Sequence, residues 1–239
     1  EIIENVLPGT ESLLGGGHYC DGVPPGVNIS MTGYSLNPNI HYYLYHETGG
    51  LVTSITGGLD FGMYMTGGRY YAIARDVSTT CESPVNDTVE VVVDSLPHVQ
   101  TVTGGGDYCV NDTTSHHIGL LNSQTGVDYT LFRDGTNIGV YSGTGSAIDF
   151  GTTVVTGSYT VTAENTTTGC TSNMSGSASI IAHPIPVAFN VNGGGRYCEG
   201  SGGPLVTLTG SEIDVNYQLY RNGLAWGAPL SGTTMGLNF

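Results

Sequence analysis

Five cysteines are the residues of this chain whose type and spacing point most clearly to chemistry. They are Cys20, Cys81, Cys109, Cys170 and Cys198. A separation of 61 residues occurs twice, between the first and second and between the third and fourth, and the fifth would meet it at position 259. This recurrence predicts the disulfides Cys20–Cys81 and Cys109–Cys170, with Cys198 unpaired. Zinc is the alternative, but no CxxC is present and two cysteines cannot fill a tetrahedral site.

The carboxylates and histidines show no catalytic pattern. Asp60 in LDFG recurs as Asp149 in IDFG, but the third copy carries Asn238. An amide cannot act as a general acid or base, so we interpret these positions as polar caps of a strand end. The seven histidines occupy no equivalent positions, and no nucleophile elbow, HExxH motif or EF-hand loop is present. We therefore expect no enzymatic activity and no cofactor.

Calcium binding at domain junctions is the metal hypothesis that the sequence offers. A calcium ion needs several converging oxygen ligands. The alternative for these carboxylates is an acidic, solvated surface. The acidic residues near the junctions are Glu1, Glu4, Glu90, Asp94 and Asp107.

The elements that hold the cysteines recur with a fixed period. GGGHYC begins at residue 15, GGGDYC at 104 and GGGRYC at 193, so the period is 89 residues. Such a period predicts an array of similar domains. Glycine tolerates positive φ and close backbone approach, which we expect where the chain crosses the end of a sandwich before each cysteine. Phosphate binding by the glycines would need a following helix, and none is predicted.

The same period sets the predicted domain boundaries. A Leu-Pro or Ile-Pro pair begins at residues 7, 96 and 185, each time after a β-rich run. We expect 1–6 to be the last strand of a preceding repeat. Repeat 1 then covers 7–95, repeat 2 covers 96–184, and repeat 3, truncated, covers 185–239. Short junctions with proline predict a rod-like array.

Alternating apolar residues predict an all-β fold of tandem immunoglobulin-like β-sandwiches. In repeat 2, VDYTLF (127–132) and GSYTVTAE (157–164) alternate apolar and polar residues with a period of two. About seven such strands per repeat suit this fold. Tyr70 and Tyr159 stand at the start of the penultimate strand, where a tyrosine corner is expected.

Composition excludes several classes of partner. The net charge is −15, with five arginines and no lysine, which argues against nucleic acid and against anionic lipid. No apolar run is long enough to predict membrane insertion. Paired cysteines in every repeat predict an oxidising, extracytoplasmic compartment.

Repeat 1 carries a candidate contact patch. Its third and sixth strands, neighbours in this fold, place Tyr43, Tyr45, Tyr71 and Ile73 on one outer surface. Repeat 2 has Thr130, Phe132, Thr160 and Thr162 there. Exposed aromatic area of this kind suggests contact with another copy or domain, or with an external ligand. A patch that is left uncovered, or that a loop simply covers, is the remaining alternative.

Four motifs together resemble the Ig-like repeats of giant Bacteroidetes cell-surface proteins. They are Gly-Gly-Gly-x-Tyr-Cys, VNYQLYRNG, SAIDFG and GSYTVTAENTTTGC. The resemblance implies export by type IX secretion to the Gram-negative outer surface. It implies a non-catalytic stalk or filament of an adhesin, gliding-motility adhesins included, that extends a binding tip. Neighbouring repeats, further copies in a filament, and a surface glycan or protein ligand are the implied partners.

O-glycosylation is a further implication of this resemblance. The candidate sites are Thr88, Ser95 and Thr113, each following an aspartate. Two other functions remain open for the array: a glycan- or protein-binding module, and an accessory array of a secreted hydrolase.

Overall fold

Repeat 1 is built from nine β-strands. The computed structural model describes residues 3–5, 7–9 and 11–239. All regular secondary structure in this part of the chain is β-strand. The strands of repeat 1 are β1 (Leu13–Gly15), β2 (Gly17–Cys20), β3 (Val27–Met31), β4 (Ile40–His46), β5 (Gly50–Ile55), β6 (Asp60–Tyr64), β7 (Gly68–Asp76), β8 (Glu82–Pro84) and β9 (Val89–Asp94).

These strands form two sheets around one core. The smaller sheet has the order β1-β3-β6, and the larger has the order β2-β9-β7-β4-β5 with β8 beside β7. Ile29 of the first sheet and Tyr42, Leu44 and Tyr70 of the second are at most 1% exposed. The alternation predicted from the sequence thus places every second side chain in the core. The immunoglobulin-like β-sandwich is confirmed.

Repeat 2 has the same architecture. Its sheets have the orders β10-β12-β15 and β11-β18-β16-β13-β14, with β17 beside β16. The predicted inward residues Tyr129, Leu131, Tyr159 and Val161 are buried. The strands are β10 (Val102–Gly104), β11 (Gly106–Cys109), β12 (His116–Leu120), β13 (Val127–Arg133), β14 (Thr136–Ser142), β15 (Ile148–Thr153), β16 (Gly157–Asn165), β17 (Thr171–Asn173) and β18 (Ala178–His183).

Repeat 3 contains shorter strands. One sheet has the order β19-β20-β25, and two pairs, β21-β24 and β22-β23, lie apart from it. The strands are β19 (Val191–Gly193), β20 (Val206–Leu208), β21 (Asn216–Tyr217), β22 (Tyr220–Arg221), β23 (Leu224–Ala225), β24 (Leu230–Ser231) and β25 (Leu237–Asn238).

The chain divides into two compact units. One comprises Glu1–Gly106 with Ser115–Ile180, and the other comprises Asp107–Thr114 with Ile181–Phe239. The repeat boundaries inferred from the 89-residue period stay a prediction. Of the strand predicted for 1–6, residues 1, 2 and 6 lie outside the described residues, and residues 3–5 belong to no strand. No helix in the described part of the chain is long and apolar enough to cross a membrane.

The glycine triplets of repeats 1 and 2 carry the chain from one sheet to the other. In repeat 1 the triplet ends β1 and begins β2, and all three glycines have positive φ, between 74° and 123°. A Cβ on Gly15 would lie 2.1 Å from the carbonyl oxygen of Asn28, and one on Gly16 would lie 2.6 Å from that of Glu90. The expected combination of positive φ and close backbone approach is confirmed, but the crossing runs between the sheets.

Buried tyrosines tie loops to the sandwich. The hydroxyls of Tyr70 and Tyr159 donate to the carbonyl oxygens of Thr66 and Val155, at 2.9 and 2.7 Å. Each bond reaches four residues upstream, so the tyrosine corners are confirmed. Burial raises the pKa of Tyr42 to about 12, and its protonated hydroxyl donates to Glu11 Oε1 at 2.8 Å.

Asp60 and Asp149 act as local caps. Their Oδ1 atoms accept hydrogen bonds from the backbone N–H groups of Gly62 and Gly151, at 2.7 and 2.8 Å. These bonds are the main cause that lowers the pKa of each carboxyl group below its ordinary value. The interpretation as strand-end caps is therefore confirmed by the hydrogen bonds.

Candidate functional site

The disulfide of this chain joins repeat 1 to repeat 2. Cys20 at the end of β2 is bonded to Cys170, with 5.5 Å between the Cα atoms and a sequence separation of 150 residues. In the parallel register of β2 and β9, Cys20 lies opposite Asp94, the last residue of β9, where the chain leaves repeat 1. Cys170 ends the turn between β16 and β17 of repeat 2 and is fully buried.

The predicted pairs Cys20–Cys81 and Cys109–Cys170 are wrong. Cys81 follows the end of β7, its carbonyl accepting from the N–H of Asp76 at 2.9 Å. Cys20 lies beyond the opposite end of that strand, because Gly68 pairs with Val91 and β9 runs three residues further, to Asp94.

The length of β7 keeps the two cysteines apart. The nine residues of β7 span about 30 Å at ~3.3 Å per residue, whereas disulfide Cα atoms lie within about 7 Å of each other. The thiols of Cys81, Cys109 and Cys198 are free, which agrees with the prediction for Cys198 alone.

Next to the first cysteine of repeats 1 and 2 lies a histidine–aspartate pair whose partners exchange places between the two repeats. His18 Nδ1 lies 3.0 Å from Asp94 Oδ2, and His183 Nε2 lies 3.1 Å from Asp107 Oδ2. The period relates His18 to Asp107 and Asp94 to His183. Repeats 1 and 2 therefore each pair one histidine with one carboxylate between the cysteine-bearing strand and the last strand.

The acidic residues considered for calcium do not assemble in the described part of the chain. Asp94 and Asp107 contact histidines, and no group of three or more His, Cys, Asp or Glu residues is placed to hold a metal among the residues described. Glu1 lies outside the described residues.

The predicted contact patch is a continuous strip on the outer face of the larger sheet of repeat 1. Tyr43 lies opposite Ile73, and Tyr45 lies opposite Tyr71. The rings of Tyr45 and Tyr71 stack with their centroids 5.3 Å apart and their planes 12° from parallel. Tyr71 is 38% exposed and the other three are half-buried. Leu51 on β5, opposite Tyr45, extends the strip.

Repeat 2 has a more polar surface in the same place. Thr130 lies opposite Thr162, and Phe132 lies opposite Thr160. Since the two repeats share one register, the aromatic strip is a property of repeat 1 rather than of the fold. We call Tyr43, Tyr45, Tyr71 and Ile73 the tyrosine face.

The candidate glycosylation residues Thr88, Ser95 and Thr113 are all exposed. The Thr88 hydroxyl accepts a hydrogen bond from the Arg69 guanidinium at 2.9 Å. Nothing in the structure tests whether sugar is attached, so the three sites stay a prediction.

The sequence did not predict the disulfide partner of Cys20 or the two histidine–aspartate pairs. A separation of 150 residues is the sum of one 89-residue period and the 61-residue spacing, so it fits the period as well as 61 does, but it occurs once between the cysteines of this chain and 61 occurs twice. The signal for the histidine–aspartate pairs is that histidine and aspartate exchange at two pairs of positions 89 residues apart, which a comparison of single positions does not reveal.

Comparisons with known proteins identify no family. No family model and no curated protein matches the chain. Among solved structures, fibronectin(III)-like modules of Clostridium thermocellum CbhA match 73% of this chain and 95% of theirs, at 17% identity and a TM-score of 0.38.

Two further structures match at a similar level. The human OSCAR ligand-binding domain matches 73% of this chain and 100% of its own, at 13% identity and a TM-score of 0.32. The N-terminal four Ig domains of Dscam1 isoform 4.4 match 96% and 71%, at 12% identity and a TM-score of 0.26. These scores are too low to carry an argument, so the fold assignment rests on the sheet topology described above.

Proposed function

We propose that this chain is a non-catalytic, load-bearing segment of a large extracytoplasmic surface protein. The observation that carries the proposal is the Cys20–Cys170 bond, which makes repeats 1 and 2 covalently continuous by a route other than the backbone. A bond within one repeat would stabilise that repeat, whereas a bond between repeats transmits tension from one to the next. Disulfides of this kind are typical of oxidising, extracytoplasmic compartments.

The finer assignment follows the sequence resemblance. The segment belongs to the stalk or filament of a bacterial adhesin that is exported by type IX secretion and holds a binding tip away from the cell. Neighbouring repeats are its partners, and glycan decoration at Thr88, Ser95 and Thr113 would protect the exposed surface. An accessory array of a secreted hydrolase would use the same covalent continuity.

A backbone cut at the junction tests the load-bearing role. A protease recognition site inserted after Val99, which is 60% exposed, lies between the two bonded cysteines. After cleavage, the 24.9-kDa chain should run as one species on a non-reducing denaturing gel and as two after reduction. The same site inserted between Gly202 and Gly203 lies outside the bonded span and should release a fragment under both conditions. Two fragments without reductant from the first variant would disprove the covalent link.

The tyrosine face supports a second candidate function, contact with another copy of the chain. The observation in its favour is the stacked, partly exposed pair Tyr45 and Tyr71 on an outer sheet surface. Tyrosine combines a large apolar ring with a hydroxyl and suits protein interfaces and sugar ligands alike. A glycan or an unrelated protein is therefore the alternative occupant.

Replacing Tyr43 and Tyr71 with threonine should weaken self-association by at least tenfold in Kd and leave the fold intact. Both side chains point away from the core, and repeat 2 carries threonine at both positions. Sedimentation equilibrium measures the association, and circular dichroism checks the fold. Phe132→Thr in repeat 2 is the matched control and should change neither. Unaltered association together with reduced binding to a glycan array would assign the face to a sugar instead.

A further inference from the structure

The second cysteines of repeats 1 and 2 have the same backbone setting. The carbonyl groups of Cys81 and Cys170 both accept a hydrogen bond at 2.9 Å from the N–H five residues earlier, of Asp76 and Asn165. The N–H groups of both cysteines lie near a threonine hydroxyl two residues earlier, at 3.4 and 3.3 Å. Cys81 therefore occupies in repeat 1 the position that the bonded Cys170 occupies in repeat 2.

The first cysteine of each repeat opens one recurring turn. The carbonyl oxygens of Cys20, Cys109 and Cys198 each accept from the N–H three residues later, at 3.0, 2.7 and 3.0 Å. Cys109 belongs to the segment Asp107–Thr114, which forms one compact unit with Ile181–Phe239. This unit contains the end of β18, which neighbours β11, as well as all of repeat 3.

Burial separates the bonded cysteines from their counterparts. Cys170 is fully buried, whereas Cys81 is half-buried. Cys20 is half-buried, whereas Cys109 and Cys198 are exposed. In both classes the bonded member is the more buried one, although the hydrogen bond at each cysteine carbonyl is the same within its class. The bonded Cys170 also contacts repeat 1 through its Sγ atom, which lies 4.0 Å from the carbonyl oxygen of Asp94.

We propose that every cysteine of the array belongs to a disulfide between adjacent repeats, formed by the first cysteine of one repeat and the second cysteine of the next. The separation is 150 residues, as in Cys20–Cys170. In an array with further repeats of the same period, Cys109 would bond a cysteine at 259, Cys198 would bond one at 348, and Cys81 would bond the first cysteine of a preceding repeat. This inference deepens the proposed function and rests on it for its physiological meaning.

Such bonds overlap, and the overlap has a structural consequence. A bond from 109 to 259 would begin before the bond from Cys20 to Cys170 has ended, so residues 109–170 would lie under two disulfides and 170–198 under one. Every point of the array is then bridged by at least one disulfide. A single backbone cut cannot separate the array, and tension always has a covalent route beside the backbone.

Formation of each bond is a thiol–disulfide exchange with a small or protein-borne disulfide as the oxidant. One cysteine thiolate attacks the oxidant and releases one thiol, and the second cysteine thiolate then displaces the other. Two protons leave the cysteines, two electrons pass to the oxidant, and the oxidant ends as two thiols. Oxidised glutathione serves as this reagent in vitro.

Completing repeat 3 tests the proposal. Phe150 and Phe239 occupy equivalent positions, so a copy of residues 151–184 fused after Phe239 completes the third sandwich and places a cysteine at 259. The extended chain is refolded with reduced and oxidised glutathione, alkylated and mapped by mass spectrometry without reduction. We expect cross-linked peptides for Cys20–Cys170 and for Cys109 with position 259, and alkylated Cys81 and Cys198.

The controls separate this proposal from the proposed function. Cys109→Ser should leave the cysteine at 259 fully alkylated and Cys20–Cys170 intact. A bond from Cys198 to 259, or an alkylated cysteine at 259 in a folded third repeat, would overturn the proposed series of bonds between adjacent repeats. It would leave the link between repeats 1 and 2 in place. Loss of Cys20–Cys170 itself would instead contradict the proposed function.

A second extended chain covers the case in which the completed third repeat does not fold. A copy of residues 96–184 fused before Leu7 supplies a first cysteine ahead of Cys81. The expected bond joins that cysteine to Cys81, which is otherwise alkylated. A free Cys81 in this chain, when hydrogen exchange shows that repeat 1 is folded, would overturn the proposal.

Discussion

Stretched between its two ends, the oxidised chain should release roughly 500 Å less contour length than the reduced chain. Tension enters the Cys20–Cys170 bond and bypasses the residues between them. A separation of 150 residues corresponds to roughly 500 Å of extended backbone at ~3.3–3.6 Å per residue. Single-molecule force spectroscopy with and without reductant measures the difference. Unfolding of the residues enclosed by the bond therefore does not lengthen the oxidised chain.

Two cysteine variants make this measurement specific for a bond between repeats. Cys170→Ser should release the full hidden length without reductant, because no bond then closes the loop. Cys81→Ser should change nothing, because Cys81 is not part of the bond. Bonds within each repeat would hide two loops of 61 residues, and Cys81→Ser would then free one of them, roughly 200 Å. That smaller release would contradict the structure.

Replacing Gly15 with alanine should unfold repeat 1 or leave it barely stable. The residue has φ +97°, and a Cβ there would lie 2.1 Å from the Asn28 carbonyl oxygen. Strained backbone and overpacking together cost roughly 2–5 kcal/mol, a large part of the stability of a small domain. Hydrogen exchange read by mass spectrometry should show lost protection in β1, β3 and β6 and unchanged protection in repeat 3.

Gly58→Ala is the matched control for this substitution. Gly58 has no positive φ and nothing within 4 Å of an added Cβ, so alanine there should shift the free energy of unfolding by less than about 0.5 kcal/mol. Equal effects of the two substitutions would mean that the glycine triplet is not needed for the crossing between sheets. In the expected case, Cys20 also loses its fixed position, and the yield of the Cys20–Cys170 bond falls.

The sequence by itself determined the fold class and the core. Alternation with a period of two placed Tyr42, Leu44, Tyr159 and Val161 inward, and all four are buried. The alternation is a local property of an extended backbone, so it can be recognised without knowing which strands pair. The tyrosine corners were predictable for the same reason, because each bond reaches only four residues along the chain.

The tyrosine face was partly predictable. Its members follow from the alternation along β4 and β7 and from the neighbourhood of these strands in an immunoglobulin-like sandwich. The stacking of Tyr45 on Tyr71 depends on the register between the strands, which hydrogen bonding across the sheet sets and the spacing along each strand does not.

Only the tertiary structure decided which cysteines meet. Adding a whole period to a recurring separation gives another separation that fits the array, so 61 and 150 residues were both compatible with the 89-residue period. Which of them brings two thiols together depends on the ends of the sandwich at which they lie. β7 holds Cys20 and Cys81 at opposite ends of repeat 1, and the end of repeat 1 at Asp94 meets the turn of repeat 2 that carries Cys170. The length of one strand thus turned a predicted staple within a repeat into a link between repeats.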